Sequence, residues 1–143
     1  GRVAKYVTDF PNDKIALVHN VIALPHLGAS TPESEENCAR MAADQLKDYL
    51  INGNIKNSVN LPNVHQDWSG ISRVCLIHKN IPAMLTKITT ILSDEGVNVE
   101  NLTNKSKKDY AYTMVDLNGR IKDAVADELR AIPGMIRVRV INH

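Results

Sequence analysis

From residue 71 onward the hydrophobic periodicity of the chain changes in a fixed order, and this order restricts the fold more than any other feature. "ISRVCLIH" (71 to 78) is strand-like. Pro82 then predicts a helix start, with Met84, Leu85, Ile88, Ile91 and Leu92 on one face and Gly96 at its end. "NVENLTNKS" and "DYAYTMVDL" read as two strands joined by a tight antiparallel turn at "KKD" (107 to 109). In the second of them Ala111, Thr113, Val115 and Leu117 alternate with Tyr110, Tyr112, Met114 and Asp116, which predicts a sheet with one fully dry face. "KDAVADELRAI" presents Ile121, Val125, Leu129 and Ile132 at helical spacing. After Pro133-Gly134, "MIRVRVI" alternates Ile136, Val138 and Val140 with two arginines. The order βαββαβ is that of the split βαβ, or ferredoxin-like, plan: a four-stranded antiparallel sheet with two helices on one face.

The N-terminal half has a different rhythm. "RVAKYVTDF" and "NVIALPH" read as strands, the second an unalternated apolar run of the kind a parallel sheet produces when both faces are covered. Thr31 can cap a helix, Pro32 suits its first position, and Glu33, Glu35 and Glu36 complement its positive end. Cys38, Met41, Ala42, Gln45/Leu46, Tyr49 and Leu50 form its apolar stripe, expected to be buried, and "NGN" ends it. "NLPNVHQDWSG" has neither period and reads as a linker at 60–70, with Trp68 as a local packing anchor.

Charge and cysteine usage narrow the function classes. The 17 basic and 16 acidic residues nearly cancel, so the balance gives no reason to expect nucleic acid or an anionic membrane as partner. No apolar run reaches the roughly 18 residues needed to span a bilayer, and a cytoplasmic protein is expected. Cys38 and Cys75 are far apart without metal-ligand spacing; no metal is expected, and both are read as buried thiols. Lys105, Lys107 and Lys108 mark a solvated turn.

The stretch "NVIALPHLGASTPESEENCARMAADQL", followed by "NSVNLP", resembles the closing segment of the NAD-dependent D-2-hydroxyacid dehydrogenase family, and within it the phosphoglycerate dehydrogenases, where a strand ends in P-H-x-G-(A/G)-S-T before a long helix. The resemblance runs over about residues 1 to 64. It implies that His26 accepts the hydroxyl proton as hydride leaves, a task an imidazole with a pKa near about 6.5 can perform. The family's F-P-x-Glu corresponds here to "FPND", so its partner carboxylate falls on Asp13, one methylene shorter. Gly28 and Ala29 match positions that lie against the nicotinamide end of NAD. No G-x-G-x-x-G occurs in the 143 residues, so the chain is expected to be the C-terminal part of a longer enzyme, inactive as a dehydrogenase alone.

Residues 71–143 resemble the ACT domain, an amino-acid-responsive module at the end of many phosphoglycerate dehydrogenases, through "HKNIPAMLTKITTILSDEGVNV" and the element order. The resemblance implies that His78, Asn80 and Asn98 hold an effector, L-serine in the serine-regulated members, at a dimer interface. The family's Arg-Pro-Gly is replaced by Ile81-Pro82-Ala83, and the Ala83 methyl takes some of the space next to the helix start. The expected fold class is α+β. A remnant of a dinucleotide-binding α/β domain (1–59, strands plus a long helix) and a linker (60–70) precede a ferredoxin-like ACT domain (71–143). The expected function is regulation of an NAD-dependent phosphoglycerate dehydrogenase of serine biosynthesis, as a homodimer or higher homo-oligomer. The alternative is a ligand-free, architectural dimerisation module.

Overall fold

The computed structural model describes residues 3–142, so the two ends of the predicted domain spans, residues 1, 2 and 143, lie outside the described residues. The chain divides into two compact units, with the boundary between Ala43 and Asp44.

In the smaller unit, β1 (Tyr6–Thr8) pairs in parallel with β2 (Val21–Ala23), Tyr6 opposite Val21 and Thr8 opposite Ala23. Between them a four-residue helix, α1 (Asp13–Ala16), is capped by Asn12, whose side chain accepts from the Lys14 and Ile15 N–H groups. The long helix α2 (Pro32–Asn52) opens as its sequence predicts, the Ser34 N–H donating to Thr31 Oγ1 at 3.2 Å. None of the described residues up to Ala43 is buried. Two three-residue strands bury too little to make a core, and the predicted covered sheet is not formed among the described residues. The α2 stripe likewise departs from expectation: Met41, Leu46 and Leu50 are 53%, 58% and 54% exposed, and Cys38 is an exposed thiol.

The larger unit has the predicted order: β3 (Ser72–Lys79), α3 (Met84–Asp94), β4 (Val99–Lys107), β5 (Tyr110–Leu117), α4 (Asp123–Ala131) and β6 (Met135–Asn142). The strands lie in the order β4-β5-β3-β6 and every pair is antiparallel. This is the ferredoxin-like arrangement. Val74, Leu76, Val115 and Leu117 pack with Met84, Ile88 and Leu92 of α3 and Val125 and Leu129 of α4 into the principal core. Each fully buried side chain of this kind is worth about 1.5–3 kcal/mol.

Four details correct the sequence expectations. First, α3 starts after Pro82, at Met84, because Ala83 takes left-handed backbone angles (φ 63°, ψ 8°). Second, Ile136 is exposed: β6 carries one extra residue between the partners of Ile77 and His78, and Ile136 falls in that bulge. Third, β5 is dry on both faces, since Ala111 to Leu117 are all buried. Fourth, the segment across the expected boundary between remnant and linker is the reason: Ile55 and Val64, joined by a small antiparallel bridge, pack with Cys75, Tyr112 and Met114 on the face turned away from the principal core. Gly53 permits this return from α2, with φ 77° and a Cβ position only 2.4 Å from Cys75 Sγ, so a side chain there would be strained and would displace the thiol.

Candidate functional site

The parallel register of β1 and β2 sets their C-terminal ends side by side, the Leu24 N–H donating to Thr8 O at 2.9 Å. Asp9 leaves one strand end and His26 leaves the other. Asp9 Oδ2 lies 3.0 Å from His26 Nδ1, with the two side chains about half exposed (50% and 55%). The Phe10 ring packs on the imidazole at a centroid distance of 4.1 Å. A carboxylate on Nδ1 fixes the tautomer that leaves Nε2 as the proton-accepting atom. The predicted partner, Asp13, is instead in the first turn of α1, where a negative side chain suits the helix dipole. Asp9 was missed because the motif match points to Asp13, five residues past the strand end at Thr8; the strand register is what selects Asp9.

Gly28 and Ala29 lie in the exposed connection to α2, with Gly28 O accepting from Ser34 Oγ at 2.7 Å. A Cβ built on Gly28 would meet nothing within 4 Å, so no packing within the chain requires glycine there. The strand β1 runs into an asparagine-capped single turn, not a glycine-rich phosphate turn. Among the described residues there is no glycine-rich cradle for a dinucleotide, and no step through NAD follows from them.

In the larger unit, His78 is 2% exposed and both ring nitrogens have internal partners: Nδ1 with Lys79 O and Nε2 with Thr113 Oγ1, each at 2.8 Å. Thr113 Oγ1 in turn donates to Asn104 Oδ1 at 2.9 Å, so the histidine anchors a relay across β3, β5 and β4. Asn80 is exposed at the end of β3, its N–H on Asp109 O and its Nδ2 on Lys108 O. Asn98 is exposed at the opposite end of the sheet, beside the pairing of Val99 with Leu117 and of Leu117 with Ser72. The eight residues of β3 separate the two asparagines by roughly 25 Å, at ~3.3 Å per residue. One copy of the chain thus does not bring the three predicted effector residues together. No side chain caps α3, so its first-turn N–H groups present a positive end without a side-chain partner.

No family model matches the chain. Curated relatives do: D-3-phosphoglycerate dehydrogenase of Escherichia coli is 32% identical over 124 residues, 85% of this chain and 30% of that protein. The enzyme of the same name from Haemophilus influenzae is 32% identical over 123 residues. The chain is a relative of the D-3-phosphoglycerate dehydrogenases. D-3-phosphoglycerate dehydrogenase 2 of Saccharomyces cerevisiae matches at the same identity over 131 residues, 27% of its length. The chain spans less than a third of the dehydrogenases it resembles. Among solved structures, the ACT domain from GTP pyrophosphokinase of Chlorobium tepidum aligns with 49% of this chain and 95% of that one, at 16% identity and a TM-score of 0.43. Among the described residues, no helix is long and apolar enough to cross a membrane.

Proposed function

We propose that these residues are the C-terminal regulatory part of a cytoplasmic, NAD-dependent phosphoglycerate dehydrogenase, and that the βαββαβ unit is an ACT domain that binds an amino acid, L-serine, between two copies. The observation that carries this reading is the 32% identity to D-3-phosphoglycerate dehydrogenases over 85% of the chain, joined to a ferredoxin-like unit whose α3 N-terminus has no side-chain cap. Free N–H groups and a positive dipole end suit a carboxylate, and asparagine amides suit an ammonium and a hydroxyl. Antiparallel pairing of two β4 edges would set the Val99 end of one copy beside the Lys107 end of the other. That pairing would place Asn98 of one copy near Asn80 of the next. In the longer enzyme His26 would take the hydroxyl proton with Asp9 orienting it, and these 143 residues alone would not oxidise phosphoglycerate.

The architectural alternative also has support. His78 is closed off by its own partners and Ala83 stands where the family has glycine, so effector contacts would rest on Asn80, Asn98 and the backbone. Calorimetric titration of L-serine decides between them. Micromolar to millimolar binding that is lost in Asn80→Ala and Asn98→Ala supports the sensor; no heat at millimolar serine leaves the dimerisation module.

A further inference from the structure

On the sheet face opposite α3 and α4, the guanidinium of Arg73 ties four segments together. Its Nε donates to Asp116 Oδ1 at 2.5 Å and Nη2 to Asp116 Oδ2 at 2.8 Å. Its Nη1 donates to Asn52 O at 2.7 Å, Nη2 also donates to Asp67 O at 3.0 Å, and the group lies 4.5 Å from the Trp68 ring centre. Asn52 is the last residue of α2 and Asp67 lies near the far end of the returning arm. One buried cation therefore fixes both ends of the arm to the two central strands. Ser69 adds to the far end, its N–H and hydroxyl both donating to Asp116 Oδ2.

Between those ends the attachment is lighter: the Gln66 N–H donates to Asn54 Oδ1 at 3.1 Å, and the exposed Lys107 Nζ donates to Ser58 O and Val59 O at 3.2 and 3.0 Å. Ile55 and Val64 exchange two backbone hydrogen bonds (2.8 and 2.9 Å) and bury their side chains, and the Tyr112 hydroxyl donates to Gly53 O. Residues 56–63 are exposed or half-buried. Beneath the arm lies Cys75, whose thiol is 3% exposed, with its pKa raised by burial. A segment fixed firmly at two points and lightly between them is the kind that opens as a separate unit below the global unfolding free energy.

We propose that residues 53–69 form a strap over the second face of the sheet that opens as a unit, with Arg73 as the positioning residue that latches both of its ends. Arg139 of β6 reinforces the attachment at the α2 end, donating to Tyr49 O at 2.8 Å and to Leu50 O. A change in β3 or β5 thereby reaches the C-terminal turn of α2 through hydrogen bonds. That last consequence rests on the regulatory reading above; the latch itself does not.

Native-state hydrogen exchange on the full 143-residue chain, without effector, tests the latch. The Ile55 and Val64 amides are expected to exchange together, roughly tenfold or more faster than the amides of β5. In a Cys38→Ser background, Cys75 should be labelled by a thiol reagent at that same opening frequency. Arg73→Lys keeps the charge and loses the forked donors, so it should raise strap exchange and Cys75 labelling roughly tenfold, with the strap still exchanging ahead of β5. Equal exchange of strap and β5 in the native sequence overturns the proposal, as do strap exchange and Cys75 labelling that stay unchanged in Arg73→Lys. If Arg73→Lys does not fold, Trp68→Ala combined with the native exchange pattern decides by the same criteria. Absence of serine binding would end the regulatory reading and leave this result untouched.

Discussion

Arg73 Nε and Asp116 Oδ1 meet at 2.5 Å with neither side chain exposed to solvent. Removing one member leaves a buried charge without its counterpart, whereas removing both does not. Arg73→Met is expected to destabilise the protein by about 3–5 kcal/mol in urea unfolding, and Arg73→Met/Asp116→Leu to recover most of that loss. A double variant as unstable as the single one would show that packing, and not charge pairing, sets the cost.

The same pair sets the acid limit. Burial pushes the Asp116 carboxyl up, but hydrogen bonds from Arg73 and Ser69, with the guanidinium charge, outweigh it and hold the group below the usual carboxylate range. A carboxyl with a depressed folded-state pKa gives stability that is fully present above its unfolded value of about 3.9 and is lost as pH falls through the folded value. Thermal melts should therefore show a loss setting in below about pH 4 and growing with further acidification. In Asp116→Asn this part of the dependence should vanish, against a lower overall stability.

Ala83 occupies the left-handed region at φ 63°, immediately before α3. A Cβ is disfavoured there by about 1–2 kcal/mol, which outweighs the cost of about 0.5–1 kcal/mol from the greater chain entropy of glycine. Ala83→Gly is expected to stabilise the unit by about 0.5–1 kcal/mol and Ala83→Val to destabilise it by more. Chemical denaturation of the two variants checks the order.

The placement of Asp9 against His26 has a spectroscopic signature. Asp9→Asn should shift the Nδ1 resonance of His26 in nitrogen-detected NMR, and Asp13→Asn should leave it in place. Shifts of the opposite pattern would restore Asp13 as the orienting carboxylate.

Much of the architecture was legible locally. The switch from period two to period 3.6 and back specifies the six elements after Ser72, the Thr31 cap specifies the start of α2, and apolar spacing selects Ile88, Leu92, Val125 and Leu129 for the core. These are short-range signals: propensity, caps and the face a side chain takes. Tyr112 and Met114 show the limit, since strand alternation places them on one face but does not say what covers it. The covering segment, Ile55 to Val64, straddles the boundary expected between remnant and linker at 59/60, and no period in it marks the two residues that end up on the sheet.

The candidate sites divide along the same line. His26, Asn80 and Asn98 could be picked from motifs, because their residue types and neighbours carry the pattern. That Asp9 and not Asp13 meets His26, that His78 is consumed by Lys79 and Thr113, and that Arg73 finds Asp116 from 43 residues away were decided by register and packing. The chain by itself determined which segments are strands and helices; only the tertiary structure decided which polar groups are left to face a ligand, because burial and pairing depend on residues distant in sequence.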